Sequence, residues 1–221
     1  MRTTIIAVAL LTLAVNVAQA VSGLPFQDFS LGPQNQTVDS DFAGSTSAGS
    51  MYGLDLSFNG SYLDTLLNGQ SNMFRFGDYV GAHTTLSSAS YDITNKKYFA
   101  GFGFSLGAQA GIALGDYVDV GGRYYLDFRD SKFGSLGNYQ TLQLNTAEVM
   151  VRVAKIYLSA GTGNGIKGQG ETARSSIFHL RYLFSEGGYA GIMIDSLKVT
   201  YDLSDRVDTF KNIVLQFGLS H

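Results

Sequence analysis

Residues 100–114 alternate without a fault for longer than a globular strand needs. The even positions, Ala100, Phe102, Phe104, Leu106, Ala108, Ala110, Ile112 and Leu114, are all apolar. The odd positions, Gly101, Gly103, Ser105, Gly107, Gln109, Gly111 and Ala113, are tiny or polar. On a helix, both sets would spread around the whole surface; at period two they part onto the two faces of a strand. A usual globular strand has about five or six residues, whereas a tilted strand that crosses a bilayer needs roughly 9–11. The odd face also carries no charge. It would make a poor surface toward water, as a soluble lipocalin-like barrel requires, and it suits a narrow, crowded lumen.

The same alternation recurs along the chain. Val118, Val120, Gly122, Tyr124, Leu126 and Phe128 oppose Asp119, Gly121, Arg123, Tyr125, Asp127 and Arg129. Ala147, Val149, Val151 and Val153 oppose Glu148, Met150 and Arg152. Further runs follow at 156–160, 177–184, 190–195 and 212–220, and a front run at 52–58. Near Asp195-Ser196 the pattern slips by one, to Leu197, Val199 and Tyr201 against Lys198 and Thr200, as a β-bulge would produce. The expected fold is all-β: a closed antiparallel transmembrane β-barrel of 8–10 strands. Single-chain bacterial barrels have even numbers of strands. The ninth run, at 51–59, favours ten, with the lead before it supplying one more strand. Short links near Gly115-Asp116, Ala154-Lys155 and Gly187-Gly188 alternate with longer ones near 130–139, 166–173 and 203–210. In barrels of this class the short turns are periplasmic.

The front of the chain reads as a secretory leader over 1–20. Arg2 precedes an apolar stretch, Ile5 to Val15, and Ala18-Gln19-Ala20 has the form of a cleavage site. No Cys follows it, so a lipoprotein anchor is not expected. A polar lead over 21–47 holds both prolines, Pro25 and Pro33. It reads as a flexible segment, or else as a plug, a partner-binding strand or an extra barrel strand. The barrel is placed over 48–221. With 15 Lys+Arg against 18 Asp+Glu the chain gives no support to nucleic-acid binding. Aromatic residues near strand ends, among them Tyr98, Phe99, Tyr124, Tyr125, Phe128, Tyr182, Phe184, Tyr189 and Tyr201, suggest the interfacial girdles of outer-membrane barrels.

Leu114-Gly115-Asp116-Tyr117 followed by Gly121-Gly122-Arg123-Tyr124-Tyr125 resembles the hairpins of the small bacterial outer-membrane β-barrel superfamily, the OmpX/OmpA-like group. The resemblance covers about 48–221 as a pattern and transfers no functional residue. It implies a Gram-negative outer-membrane location. Such barrels usually end on Phe or Trp; here the last residue is His221, which shares the parity of the apolar set.

The inward set is expected to contain Asp55, Arg75, His83, Asp119, Arg123, Asp127, Arg129, Glu148, Arg152, His179, Arg181, Asp195 and Lys198. Its near balance of charge points to internal pairing, since a buried charge needs a partner. The polar network of Asp119, Arg123, Asp127, Arg129, Glu148, Arg152, His179 and Arg181 is thus either a structural core or the lining of a narrow passive pore. A rim enzyme acting on lipid, built from His83, His179 and serines, is the alternative, and no spacing enforces it. Asp202, Asp205 and Asp208 read as a solvated acidic loop and not as a Ca²⁺ site. Gly161-Thr162-Gly163-Asn164-Gly165 reads as a turn. No cofactor or metal is expected. The expected partners are outer-membrane lipid and, through the lead, other envelope proteins.

Overall fold

The computed structural model describes residues 28–42, 44–60, 74–90, 97–114, 117–132, 139–167, 171–184, 187–201 and 205–220. The expected leader over 1–20 and His221 lie outside them. Ten strands are present: β1 (Asp28–Phe42), β2 (Ser45–Gly60), β3 (Phe74–Ser90), β4 (Lys97–Ala113), β5 (Val118–Lys132), β6 (Tyr139–Val153), β7 (Ile156–Lys167), β8 (Glu171–Leu183), β9 (Gly188–Tyr201) and β10 (Arg206–Ser220). Each pairs antiparallel with its chain neighbours, and β1 pairs with β10, closing the sheet into a barrel. Closure leaves no edge strand, which a bilayer would not tolerate.

Most of the lead is therefore wall. Asp28 pairs with Ser220 on one side and with Asn59 on the other. The extra-strand reading is the one observed, and residues 28–42 are neither plug nor free segment. Deleting 28–42 should expose the edges of β2 and β10 together. The expected result is loss of the compact, heat-modifiable gel band that folded barrels give.

The pairing fixes the shape. Starting at Tyr98, the ladder runs through Ser88, Tyr52, Asn35, Ile213, Ile194, Phe178, Ala160, Val149 and Gly122, and returns to β4 at Ala110, twelve residues along. With strands about 4.8 Å apart and about 3.3 Å per residue, that stagger tilts them roughly 40°, within the usual barrel range. Both described chain ends, Asp28 and Ser220, sit at one mouth, here called the near mouth. The tight β6–β7 hairpin is there too, with Ala154 in the left-handed region at φ 52. The far mouth carries Gly44, at φ 79, and Asp205, at φ 47.

From the near mouth upward, the outer face is apolar. Phe76, Leu106, Ile112, Val149, Leu158, Leu180, Ile213, Leu215 and Phe217 are all exposed. Monomers in water rarely expose contiguous apolar patches beyond a few hundred Å², and this belt encircles the molecule. Its surroundings are lipid. The same strands place charge inside: Asp119, Arg123, Asp127, Glu148, Arg152 and Arg181 are buried.

Toward the far mouth, on β6 and β8–β10, this order inverts. On β6 the exposed side runs Val153, Val149, then Asn145 and Gln143, while the buried side runs Arg152, Glu148, then Leu144 and Leu142. On β8, Tyr182, Leu180 and Phe178 give way outside to Ser176 and Arg174. Inside, Val38, Leu142, Leu144, Ala173, Val199 and Phe210 form an apolar cluster, with Leu197 and Tyr201 packed against it. This part of the barrel is arranged as a soluble one, polar outside and apolar within.

The inversion corrects one expectation. No bulge lies near Asp195-Ser196. β9 pairs in unbroken register, Asp195 with Asn212, Ser196 with Lys211 and Leu197 with Phe210. The apolar set changes side because the medium outside changes from lipid to water, not because the backbone slips. Leu197, Val199 and Tyr201 thus belong with the interior, and Lys198 is exposed on the outer face. Tyr125 and Tyr189 are likewise buried in the lumen and take no part in a girdle. The exposed Tyr52, Phe74, Phe76, Phe102, Tyr117, Tyr182 and Phe184 remain as interfacial rings.

Candidate functional site

The lumen is built in three tiers. Nearest the termini, arginines meet acids. Arg152 pairs with Asp119 across the β5–β6 ladder. Arg181 Nη1 donates to Asp28 Oδ2 at 2.9 Å. Around that pair a chain of hydrogen bonds crosses the closing seam. Tyr79 OH donates to Asn59 Oδ1 (2.6 Å), Asn59 Nδ2 donates to Asp28 Oδ1 (3.0 Å), and Arg181 Nε donates to Gln216 Oε1 (3.3 Å). Above it, Arg123 forks onto Glu148, with Nε to Oε2 at 2.7 Å and Nη2 to Oε1 at 2.9 Å. This bidentate geometry is the stronger kind of charge-assisted hydrogen bond. Ser159 and Tyr125 add donors to the same carboxylate.

Tyrosine rings fill the space between these pairs. Arg123 lies over Tyr79 at 4.7 Å and Tyr125 at 5.6 Å; Arg181 lies over Tyr189 at 4.6 Å and Tyr157 at 5.4 Å. A desolvated cation over an aromatic face gains on the order of 2 kcal/mol. Glycines on the facing strands make room. A Cβ at Gly107 would strike the backbone of Tyr124 and Tyr125, and one at Gly163 would strike Ser175 Oγ and Thr146 Oγ1. Gly161, Gly163 and Gly165 thus lie inside β7 and not in a turn. Their signature was small residues at every second position, the strand period itself.

The middle tier joins opposite walls. Arg129 donates to Asp127 Oδ2 through Nε and to Asp195 Oδ2 through Nη1, both at 2.6 Å. Asp127 shares its strand with Arg129, whereas Asp195 stands on β9, four strands away. One guanidinium is therefore shared by two carboxylates. Ser105 Oγ donates to Asp127 Oδ1 at 3.0 Å. His83 lies against Gly103, where any Cβ would meet its ring. A cavity of about 170 Å³ runs through this tier, lined at its middle by Asp127, Arg129, Asp195, His83 and His179, reaching Tyr79, Arg123 and Arg181 below and Leu142, Leu197, Val199 and Phe210 above. The third tier is the apolar cluster. Asp208 caps it, accepting from Ser40 Oγ (2.6 Å), Tyr201 OH (3.0 Å) and Arg206 Nε (2.9 Å). Asp208 is thus a strand residue with partners and not part of a solvated loop.

All eight residues of the expected polar network, Asp119, Arg123, Asp127, Arg129, Glu148, Arg152, His179 and Arg181, face the lumen, as do Asp55, Asp195 and His83. They form separate knots on different tiers. Sequence reasoning missed the acidic partner of Arg181, because Asp28 lay in the lead. It also passed over Gly103-Phe104-Ser105-Leu106-Gly107, which has the Gly-x-Ser-x-Gly form. That form makes a nucleophile at a strained strand-to-helix turn. Here it sits in mid-strand, with its backbone engaged in the ladders to β3 and β5. Ser105 donates to Asp127 and not to His83, so neither an activated hydroxyl nor an oxyanion hole is formed. Among the described residues no group of three or more His, Cys, Asp or Glu is placed to hold a metal ion.

No protein-family model matches the chain, and no curated protein matches it. Solved structures do match. The CymD monoaromatic hydrocarbon channel is similar over 96% of this chain and 92% of its own, at 9% identity and a TM-score of 0.45. Each likeness is one of fold. The outer-membrane protease OmpT of Escherichia coli is similar over 92% of this chain and 99% of its own, at 9% identity and a TM-score of 0.38. Ail, the attachment invasion locus protein of Yersinia pestis, is similar over 87% of this chain and 99% of its own, at 10% identity and a TM-score of 0.31.

Proposed function

We propose that the protein is an outer-membrane barrel whose lumen is shut by its own side chains, and that it serves the envelope as a scaffold and not as a channel or an enzyme. One observation carries this reading. Toward the near mouth Arg181, Tyr157, Tyr189 and Met150 are 2%, 1%, 1% and 0% exposed. A solute path needs wall side chains wetted along its length, and these are as dry as a protein core. The arginines that a pore would use to select ions are held by Asp28, Asp119 and Glu148. The Gly-x-Ser-x-Gly serine does not support the rim-enzyme reading, since Ser105 donates to Asp127 in mid-strand.

The test is single-channel recording of the refolded full chain in a planar bilayer. Silence is expected, and silence should persist after Arg152→Ala, because the tyrosine and Arg181 layer above it stays intact. Steady conductance of the unaltered protein would overturn the closed-lumen reading and return the arginines to a pore.

A further inference from the structure

The cavity has a feature that a mere packing flaw would lack. Asp195 Oδ1, Asn212 Oδ1 and His179 Nε2 are buried and have no hydrogen-bond partner, and all three residues line it. Asp195 and Asn212 face each other across the β9–β10 ladder, so their side chains are neighbours on one wall. His179, 4% exposed, stands two positions lower, opposite Met193. An unmet buried polar atom is costly, and here two acceptor oxygens and an imidazole nitrogen belong to one lining. The charge is also uneven. Arg129 is one cation shared between two carboxylates, Asp127 and Asp195, and a third buried carboxylate, Asp55, lines the same cavity. The upper wall, by contrast, is Leu142, Leu197, Val199 and Phe210.

We propose that this cavity binds a small primary ammonium compound with a compact apolar body. The ammonium donates to Asp195 Oδ1 and Asn212 Oδ1, beside the carboxylates that share Arg129. The apolar body lies against Leu197, Val199 and Phe210, toward the far mouth. An apolar cavity of about 150 Å³ holds one benzene, so about 170 Å³ admits a ring or a short alkyl chain bearing one such head. A bare metal cation would leave the apolar wall unused, and a carboxylate would face Asp195. The inference goes beyond the scaffold reading and does not depend on whether the lower lumen conducts.

The experiment is calorimetric titration of the refolded full chain in phosphatidylcholine nanodiscs, with empty discs subtracted. The probes are benzylammonium, benzyl alcohol and benzoate. Benzylammonium should bind at one site at least ten-fold more tightly than the other two. Asp195→Asn should weaken it at least ten-fold and leave benzyl alcohol unchanged. Asn212→Leu is the second variant and should weaken benzylammonium as well; heat-modifiable gel mobility shows which variants have folded. Equal binding of all three probes, no binding at all, or a folded Asp195→Asn protein that binds as before would each overturn the proposal. Discs containing phosphatidylethanolamine then separate the sources. Lost benzylammonium binding there assigns the site to a lipid head group, and unchanged binding assigns it to a free amine; either leaves the ammonium chemistry standing.

Discussion

Replacing Glu148 by Gln is expected to destabilise the barrel by about 3–5 kcal/mol, the cost of leaving one member of a buried ion pair without its counter-charge. The side chains of Arg123 and Glu148 are 5% and 0% exposed, so water cannot take the place of the lost charge. Gln keeps the shape and one acceptor oxygen, which isolates the charge from the packing. The two tyrosine faces over Arg123 soften the loss without removing it, because each attraction is a fraction of the ionic one. The measurement is equilibrium urea unfolding in lipid vesicles, read by gel mobility. The double variant Arg123→Met with Glu148→Gln should recover most of the loss, since replacing both charges of a buried pair is often neutral or stabilising. A Glu148→Gln protein within 1 kcal/mol of the parent would mean that the lumen is wet at this height. The closed-lumen reading would then fail with it.

What the sequence made legible was set by how far each signal depends on neighbours. Strand identity needs only the residue two places on, so 100–114 and 118–129 could be read directly. Lumen parity followed from it for Arg123, Glu148 and Arg181. Pair identity did not, because the partners of Arg181 and Arg129 arrive from strands that only closure brings near. Asp28 was the hardest to see. It stands at the start of a strand interrupted by Pro33, with weak alternation, and such a segment shows its β character only when both neighbours hydrogen-bond it. The misread at Asp195-Ser196 had a different source. Period-two reasoning assumes one medium outside the barrel from end to end. Where β9 leaves the lipid, the apolar set moves to the inner face with no change of register, and a sequence pattern cannot tell that from an inserted residue. Tyr125 and Tyr189 were placed in the girdle for a related reason: an aromatic at a strand end looks the same whether its ring stacks on lipid head groups or on Arg123 or Arg181.

Two arginine substitutions on one strand, and on one face of it, test the change of medium directly. Val149→Arg puts a charge within the lipid-facing belt of β6, where Val149 is 61% exposed. The expected cost is about 2–4 kcal/mol, the penalty for a cation near the bilayer midplane on the outside of a barrel. Gln143→Arg, six residues on along the same exposed face, should cost no more than about 1 kcal/mol, as positions at or beyond the interface do. Neither changes the lumen, since both side chains point away from it, so the difference reports the surroundings alone. Urea unfolding in vesicles gives both numbers. Moving the proteins into a detergent micelle, which can deform around a charge, should shrink the Val149→Arg penalty and leave Gln143→Arg unchanged. Equal costs at the two positions would place both in the same medium. The apolar interior at Leu142 and Leu144 would then have no water-facing wall to explain it, and a slip in the strand would again be the simpler account of β9.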